Sequence, residues 1–273
     1  MFLRSIFGTL FLTVILASRK LFPSFRQLVK ECWKDVLIFS LVFHLLPLIL
    51  VFVSTPMTLP TDQVIINNLS LSFVVIINLI FFRIKPTKYL VVAVAVNFAG
   101  AVLVLWPLDF SQNPNLVGDI IMIIAVFIGS FFSIWNKKLS AKADPLVLGY
   151  SINVFPAAVS FPLMLATGQA STMGALSPLG WCYIIFIGIG ISGIAYFCLN
   201  LGYCEPGITP ELMSTWTTLI PVFGMVISIF LYGYVIGPVN ILGSIMVIVS
   251  IVIANKAPTR AARPLSKDGE EKK

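Results

Sequence analysis

The 273-residue chain holds one histidine, His44, inside the run "VLIFSLVFHLLPLILVFVST" at positions 36–55. An imidazole among apolar side chains can bind a solute, carry a proton, or hold a neighbouring helix through a neutral hydrogen bond. Every Asp and Glu lies in a loop, at the end of an apolar run or in the C-terminal tail. His44 is therefore the one candidate proton carrier among the apolar runs. Without an acidic partner there, solute binding suits it better than proton relay.

Other polar residues share faces at helical spacing. Ser40, His44 and Pro47 form one stripe; Asn67, Ser70, Val74 and Asn78 form another; Ser192, Tyr196, Asn200 and Tyr203 form a third. In "STWTTLIP", Ser214, Thr217 or Thr218 and Pro221 face one way and Trp216 another. Polar side chains within hydrocarbon are costly and face protein or a water-filled cavity. The candidate solute-binding set is His44, Asn67, Ser70, Asn78, Tyr196, Asn200, Trp216 and Thr217. Packing is the competing explanation, because Ser and Thr bond their own preceding carbonyls and Asn joins helices. Asn97, beside Ala93, Gly100 and Ala101, reads as such a joint, and Gly188, Gly190 and Gly193 read as a close helix contact. Pro47, Pro156, Pro162 and Pro221 each remove a backbone hydrogen bond. Pro47, Pro156 and Pro221 are the candidate hinges, with static kinks as the alternative.

Enzyme chemistry finds few participants. The sequence has no H-E-x-x-H, no paired Asp within a run, no Gly-rich phosphate loop and no Ser–Lys or Ser–His pairing. Cys32, Cys182, Cys198 and Cys204 form no CxxC and have only a distant histidine, so they read as small apolar residues. No cofactor or metal is expected.

The elements that position these residues follow from composition. Hydrophobic residues make up 58% and charged residues 11%, with mean hydropathy +1.00, whereas a soluble chain carries about twice that charge. Nine apolar runs, near 2–18, 36–54, 63–82, 89–107, 117–135, 146–166, 180–203, 212–233 and 237–255, are read as membrane-spanning helices. The segment "LFPSFRQLVKECWKD" reads as a short surface helix capped by Ser24, with Trp33 at the interface. The tail 256–273 is charged and poor in apolar residues, and is expected to be disordered.

Seventeen of the 18 Lys and Arg residues lie at 19–34, 83–88, 137–142 and from 256 onward, and only Arg4 falls on the other side. The positive-inside rule then places the N-terminus outside and the C-terminus in the cytoplasm of a cell membrane. The net charge of +7 is thus a topological signal and gives no reason to expect nucleic acid. The N-terminal run lacks a small-x-small cleavage site, so a span is preferred to a signal peptide.

A shift of 151 residues sets Ser70 on Pro221 and "RIKPTK" on "YVIGPV". The first of these loops is basic and the second uncharged, which is the pattern of halves inverted in the membrane. Such halves need an odd number of helices each, so the chain reads as four plus five of a five-plus-five architecture.

At this point the chain resembles the drug/metabolite transporter superfamily, EamA-type. "FLRSIFGTLFLTVILASRK", opening with Arg4, resembles the family's second helix. "VGDIIMIIAVFIGSFFSIWNKKL" resembles the start of its second repeat. "GIAYFCLNLGYCEPGITPELMSTWTTLIPVFGMVISIFLYG" resembles its eighth and ninth helices, and "GPVNILGSIMVIVSIVIAN" its tenth. Arg83 and Tyr234 stand where the family often has Glu, Ser70 stands where the second repeat has Pro221, and the family's first helix is not represented. The resemblance implies a first repeat at 1–107, a second at 117–255, and a cavity between them lined by the second, third, seventh and eighth runs. It implies secondary transport of small polar or amphipathic metabolites, amino-acid-like solutes or drugs, by export through alternating access. The partners expected are a small solute and the bilayer, and a homodimer is compatible with the sequence. The alternative is an accessory membrane subunit that kept the fold without transport.

Overall fold

A computed structural model describes residues 2–58, 60–104, 106, 116–166, 168, 177–220, 222–223, 226–227 and 237–256. Among these residues all regular structure is helical. Where water is absent, a helix satisfies its own backbone within one segment, so apolar runs of this length adopt it.

Helix α1 covers Phe2–Ser18. Helix α2 (Phe22–Leu37) passes through a π-helical segment, Ile38–Leu45, into α3 (Leu46–Ser54). Then come α4 (Pro60–Phe81), α5 (Lys88–Val104), α6 (Leu116–Ser140) and α7 (Pro145–Ala166). Helix α8 (Pro178–Phe186) continues through a second π segment, Ile187–Ala195, into α9 (Tyr196–Cys204). The series ends with α10 (Pro210–Thr217) and α11 (Pro238–Asn255). Six continuous stretches are long and apolar enough to cross a bilayer: Phe22–Met57, Asp62–Phe81, Leu116–Ser140, Pro145–Ala166, Pro178–Cys204 and Pro238–Asn255. Phe2–Ser18 and Lys88–Leu103 are shorter apolar helices. Most of the expected run 212–233 beyond α10, Pro221 included, lies outside the described residues, as do 107–115 and the tail from 257.

Helix starts follow local chemistry. The Asp144 carboxylate accepts from the Leu146 amide at 2.8 Å, Ser177 from Gly180 at 3.1 Å and Thr209 from Leu212 at 3.3 Å. Each of these three precedes a proline, whose fixed φ and missing N–H suit the first helical turn. The surface segment is helical, but it begins at Phe22 with Pro23 in its first turn, so Ser24 is inside the helix and is not its cap. Phe25 meets the Tyr150 ring edge-on at 4.9 Å, and the helix breaks at Cys32, whose φ of −128° is non-helical. The kink separates this segment from the apolar run that follows.

Close helix contacts hold the bundle together. A Cβ on Gly100 would stand 2.9 Å from the Gly243 carbonyl, so α5 and α11 touch backbone to backbone. In the same interface Ser250 donates to Asn97 at 3.5 Å, with Asn97 buried. Small residues allow such approach, and this is how helices associate without a hydrophobic driving force. Val36, Phe39, Leu139, Val147, Leu148 and Ile152 form a fully buried cluster joining the first π-containing helix to α6 and α7.

The two π segments begin at Ile38 and Ile187, 149 residues apart. That offset is within two residues of the 151-residue shift seen in the sequence. The first ends just before Pro47, whose absent N–H breaks the regular bonding pattern and favours wider turns upstream. The second is rich in Gly188, Gly190 and Gly193 and has no proline.

Candidate functional site

The wide turn at Ile38–Leu45 delivers His44, and the helix beyond the other delivers Tyr196. Their rings meet edge to face with centroids 5.0 Å apart, and the Phe132 ring of α6 lies 5.6 Å from the imidazole. Both residues are half-buried. A third residue joins them from α1. Arg4 Nε donates to the Ser192 hydroxyl at 2.7 Å, and its guanidinium interacts with the Tyr196 hydroxyl and with His44. Ser192 stands midway between Pro178 and Cys204, so this cationic group sits deep in the bundle.

The serine is itself fixed. Asn153 of α7, buried, donates to the Ser192 carbonyl and to the Gly149 carbonyl, each at 2.8 Å. A Cβ on Gly188 would stand 2.6 Å from Phe7 Cβ and 3.1 Å from the Arg4 carbonyl, so α1 lies directly on the π segment. Gly193 meets the Phe11 ring in the same way, whereas a Cβ on Gly190 would meet nothing within 4 Å among the described residues.

One turn beyond Tyr196, fully buried Asn200 accepts from Asn136 Nδ2 of α6 at 2.8 Å. Among the described residues the Asn136 Oδ1 and Asn200 Nδ2 atoms find no partner, nor does the buried Ser40 hydroxyl. Spare donors and acceptors in so dry a place are costly unless something else meets them. At the end of α9, Lys137 donates to the carbonyls of Tyr203 and Glu205 at 2.8 and 2.7 Å, tying α6 to the helix terminus. The stripe Ser192, Tyr196, Asn200, Tyr203 thus runs along one interior face, with a polar contact at each position.

The remaining candidates are dispersed. Asn78 is buried and donates to the Glu211 carboxylate in the first turn of α10. Ser70 is half-buried, and its carbonyl accepts from Ser130 at 3.3 Å. Asn67 is exposed, while its neighbour Asn68 is buried and donates to the Val64 carbonyl at 2.8 Å. Trp216 and Thr217 are exposed, and no ring contact or hydrogen bond among the described residues joins them to His44 or Tyr196. Pro47 is buried at the junction of the π segment and α3, while α7 continues as one helix through Pro156 and Pro162. Sequence reasoning did not place Arg4, Asn136 or Asn153 in the site. Arg4 near a chain end reads as a loop charge; Asn136 and Asn153 had a detectable signal as amides within otherwise apolar runs.

Residues 116–256 match the EamA-like transporter family. A protein of Archaeoglobus fulgidus named only as an uncharacterized transporter is 23% identical over 181 residues. That alignment covers 66% of this chain and 61% of the relative, so the chain spans about three fifths of the relative's length. A solved crystal structure of another protein has the same fold, with a TM-score of 0.72 at 15% identity over 97% of this chain and 88% of that one.

Proposed function

The chain belongs to the EamA-like transporter family, and from that premise we propose that it is a secondary carrier for small polar or amphipathic metabolites. It is a multi-pass membrane transporter; the solute class, direction and mechanism are our reading. The solute binds where His44, Tyr196 and Arg4 converge, midway along the spanning helices, with Asn200 and Asn136 one turn away. That convergence is the observation that carries the proposal. Polar side chains gathered at mid-depth suit a site that two halves can rock around.

In this reading the π segments are the flexible joints and Pro47 is a hinge, since wide turns leave carbonyls weakly bonded. Asn78 and Glu211 form a latch that opens and closes with the movement. The basic loops face the cytoplasm, the chain resides in the cell membrane with its N-terminus outside, and solute is exported. Pairing of two copies is compatible with the exposed apolar surface but is not needed by the site.

The test is thermal unfolding of the purified chain in detergent across amino acids, nucleosides, sugars and amphipathic cations. A ligand specific to the folded state stabilises by about 2.7 kcal/mol at roughly 100 times its Kd. A carrier with this site shows a stabilising compound whose effect is lost in His44→Ala and Asn200→Ala. A stabilising compound unaffected by both substitutions would move the site elsewhere.

A further inference from the structure

We infer that Arg4 is the carboxylate-binding residue of the transport site, so that the solutes carried bear a carboxylate on a small apolar body. The inference rests on the carrier reading above and names the chemistry of its cargo.

A permanent cation held at mid-depth needs a counterpart, because an unpaired charge is disfavoured there. Among the described residues the ion pair is Lys138–Asp35, at 2.9 Å and joining α6 to α2, and no carboxylate lies against Arg4. The neighbours of the guanidinium are neutral: the Ser192 hydroxyl, the Tyr196 hydroxyl and the His44 ring. A guanidinium has five N–H donors, and its Nε hydrogen is taken by Ser192. The terminal nitrogens retain the planar donor edge that pairs bidentately with a carboxylate.

The surroundings suit such a ligand. Ser192 is 2% exposed and its carbonyl is held by Asn153, so the anchor that orients the guanidinium is rigid. That spares the ligand the cost of ordering the site. The Tyr196 hydroxyl lies beside the guanidinium and has a hydrogen that it can offer to the same ligand. Beside it the Phe132 ring lies 6.3 Å from Tyr196 and 5.6 Å from His44, a surface for an apolar or aromatic body. A bracing role alone would use the Nε bond and leave the donor edge idle.

The test compares solutes of one shape that differ in the charged group. Binding to the full-length chain in detergent, and uptake into vesicles containing it, are measured for L-phenylalanine against L-phenylalaninamide and for hexanoate against hexanamide. The wild type prefers the carboxylate member of at least one pair by roughly 10- to 100-fold, the value of a hydrogen-bonded charge. Arg4→Gln removes that preference, and Arg4→Lys restores part of it. Equal binding of acids and amides by the wild type overturns the inference whether or not the variants fold, and so does a preference that survives in Arg4→Gln. Uptake of solutes without acid preference overturns the inference and leaves the carrier standing. A folded chain that binds and moves none of the wider panel removes both.

Discussion

Burying an amide is favourable only if its hydrogen-bonding groups are met, and among the described residues the Asn136–Asn200 pair is met on one side alone. Removing one partner leaves the other amide stranded, at about 1–3 kcal/mol in general and about 0.6 kcal/mol on average between membrane helices. Removing both leaves an apolar contact of similar size. Asn136→Leu and Asn200→Leu should each lower the unfolding temperature in detergent, and the double substitution should recover most of the loss. Additive losses in the double variant would show that the two amides are not coupled. The double variant is also expected to bind solute more weakly while staying folded, since the unmet Nδ2 and Oδ1 atoms are then gone. Arg4 raises the stakes at this scale. A mid-membrane arginine costs about 2.5–3.5 kcal/mol on insertion scales, and nothing among the described residues neutralises it with a carboxylate.

Helices α1 and α9 work as a unit because glycine allows α1 to lie on the second π segment. At Gly188 any side chain would strike Phe7 Cβ and the Arg4 carbonyl, which are close to the α1 backbone and cannot swing away. Gly188→Ala should therefore push α1 outward and destabilise the chain by about 1–3 kcal/mol, the usual cost of overpacking. Gly190→Ala meets nothing within 4 Å, and should be neutral or add up to about 1 kcal/mol by removing a helical glycine. Thermal unfolding of the two variants decides the matter, and an equal loss in both would mean that the close approach is not what holds α1. At the same scale the sequence is partly legible. Helical spacing identifies the Ser192–Tyr196–Asn200–Tyr203 face, because each side chain marks the same side of one helix. It fails for Asn67, where a rotation of one residue gives the interior to Asn68, and no charge in the run fixes that rotation. The π segments leave no mark in composition, since a wide turn depends on what the helix packs against.

Across the whole molecule the spans are legible from sequence because bilayer thickness, not packing detail, sets their length. The clustering of basic residues between the apolar runs is a feature of the sequence itself, and the sidedness drawn from it by the charge rule belongs to the proposal. The depth of Arg4 is not: a charge three residues from the start of the chain reads as a flank, and only the register of α1 against the Pro178–Cys204 helix carries it inward. The π segments begin 149 residues apart, close to the 151-residue shift read from the sequence, and rocking of two halves is the motion the proposed carrier requires. Counterflow tests that reading most directly. The full-length chain is reconstituted in vesicles loaded with an unlabelled solute from the amino-acid, nucleoside, sugar and amphipathic-cation panel. Labelled solute is then supplied outside. The account predicts transient accumulation of label above protein-free vesicles, dependent on the internal solute and reduced in His44→Ala. Label entering no faster than into protein-free vesicles, for every solute and with the chain folded and inserted, would contradict it.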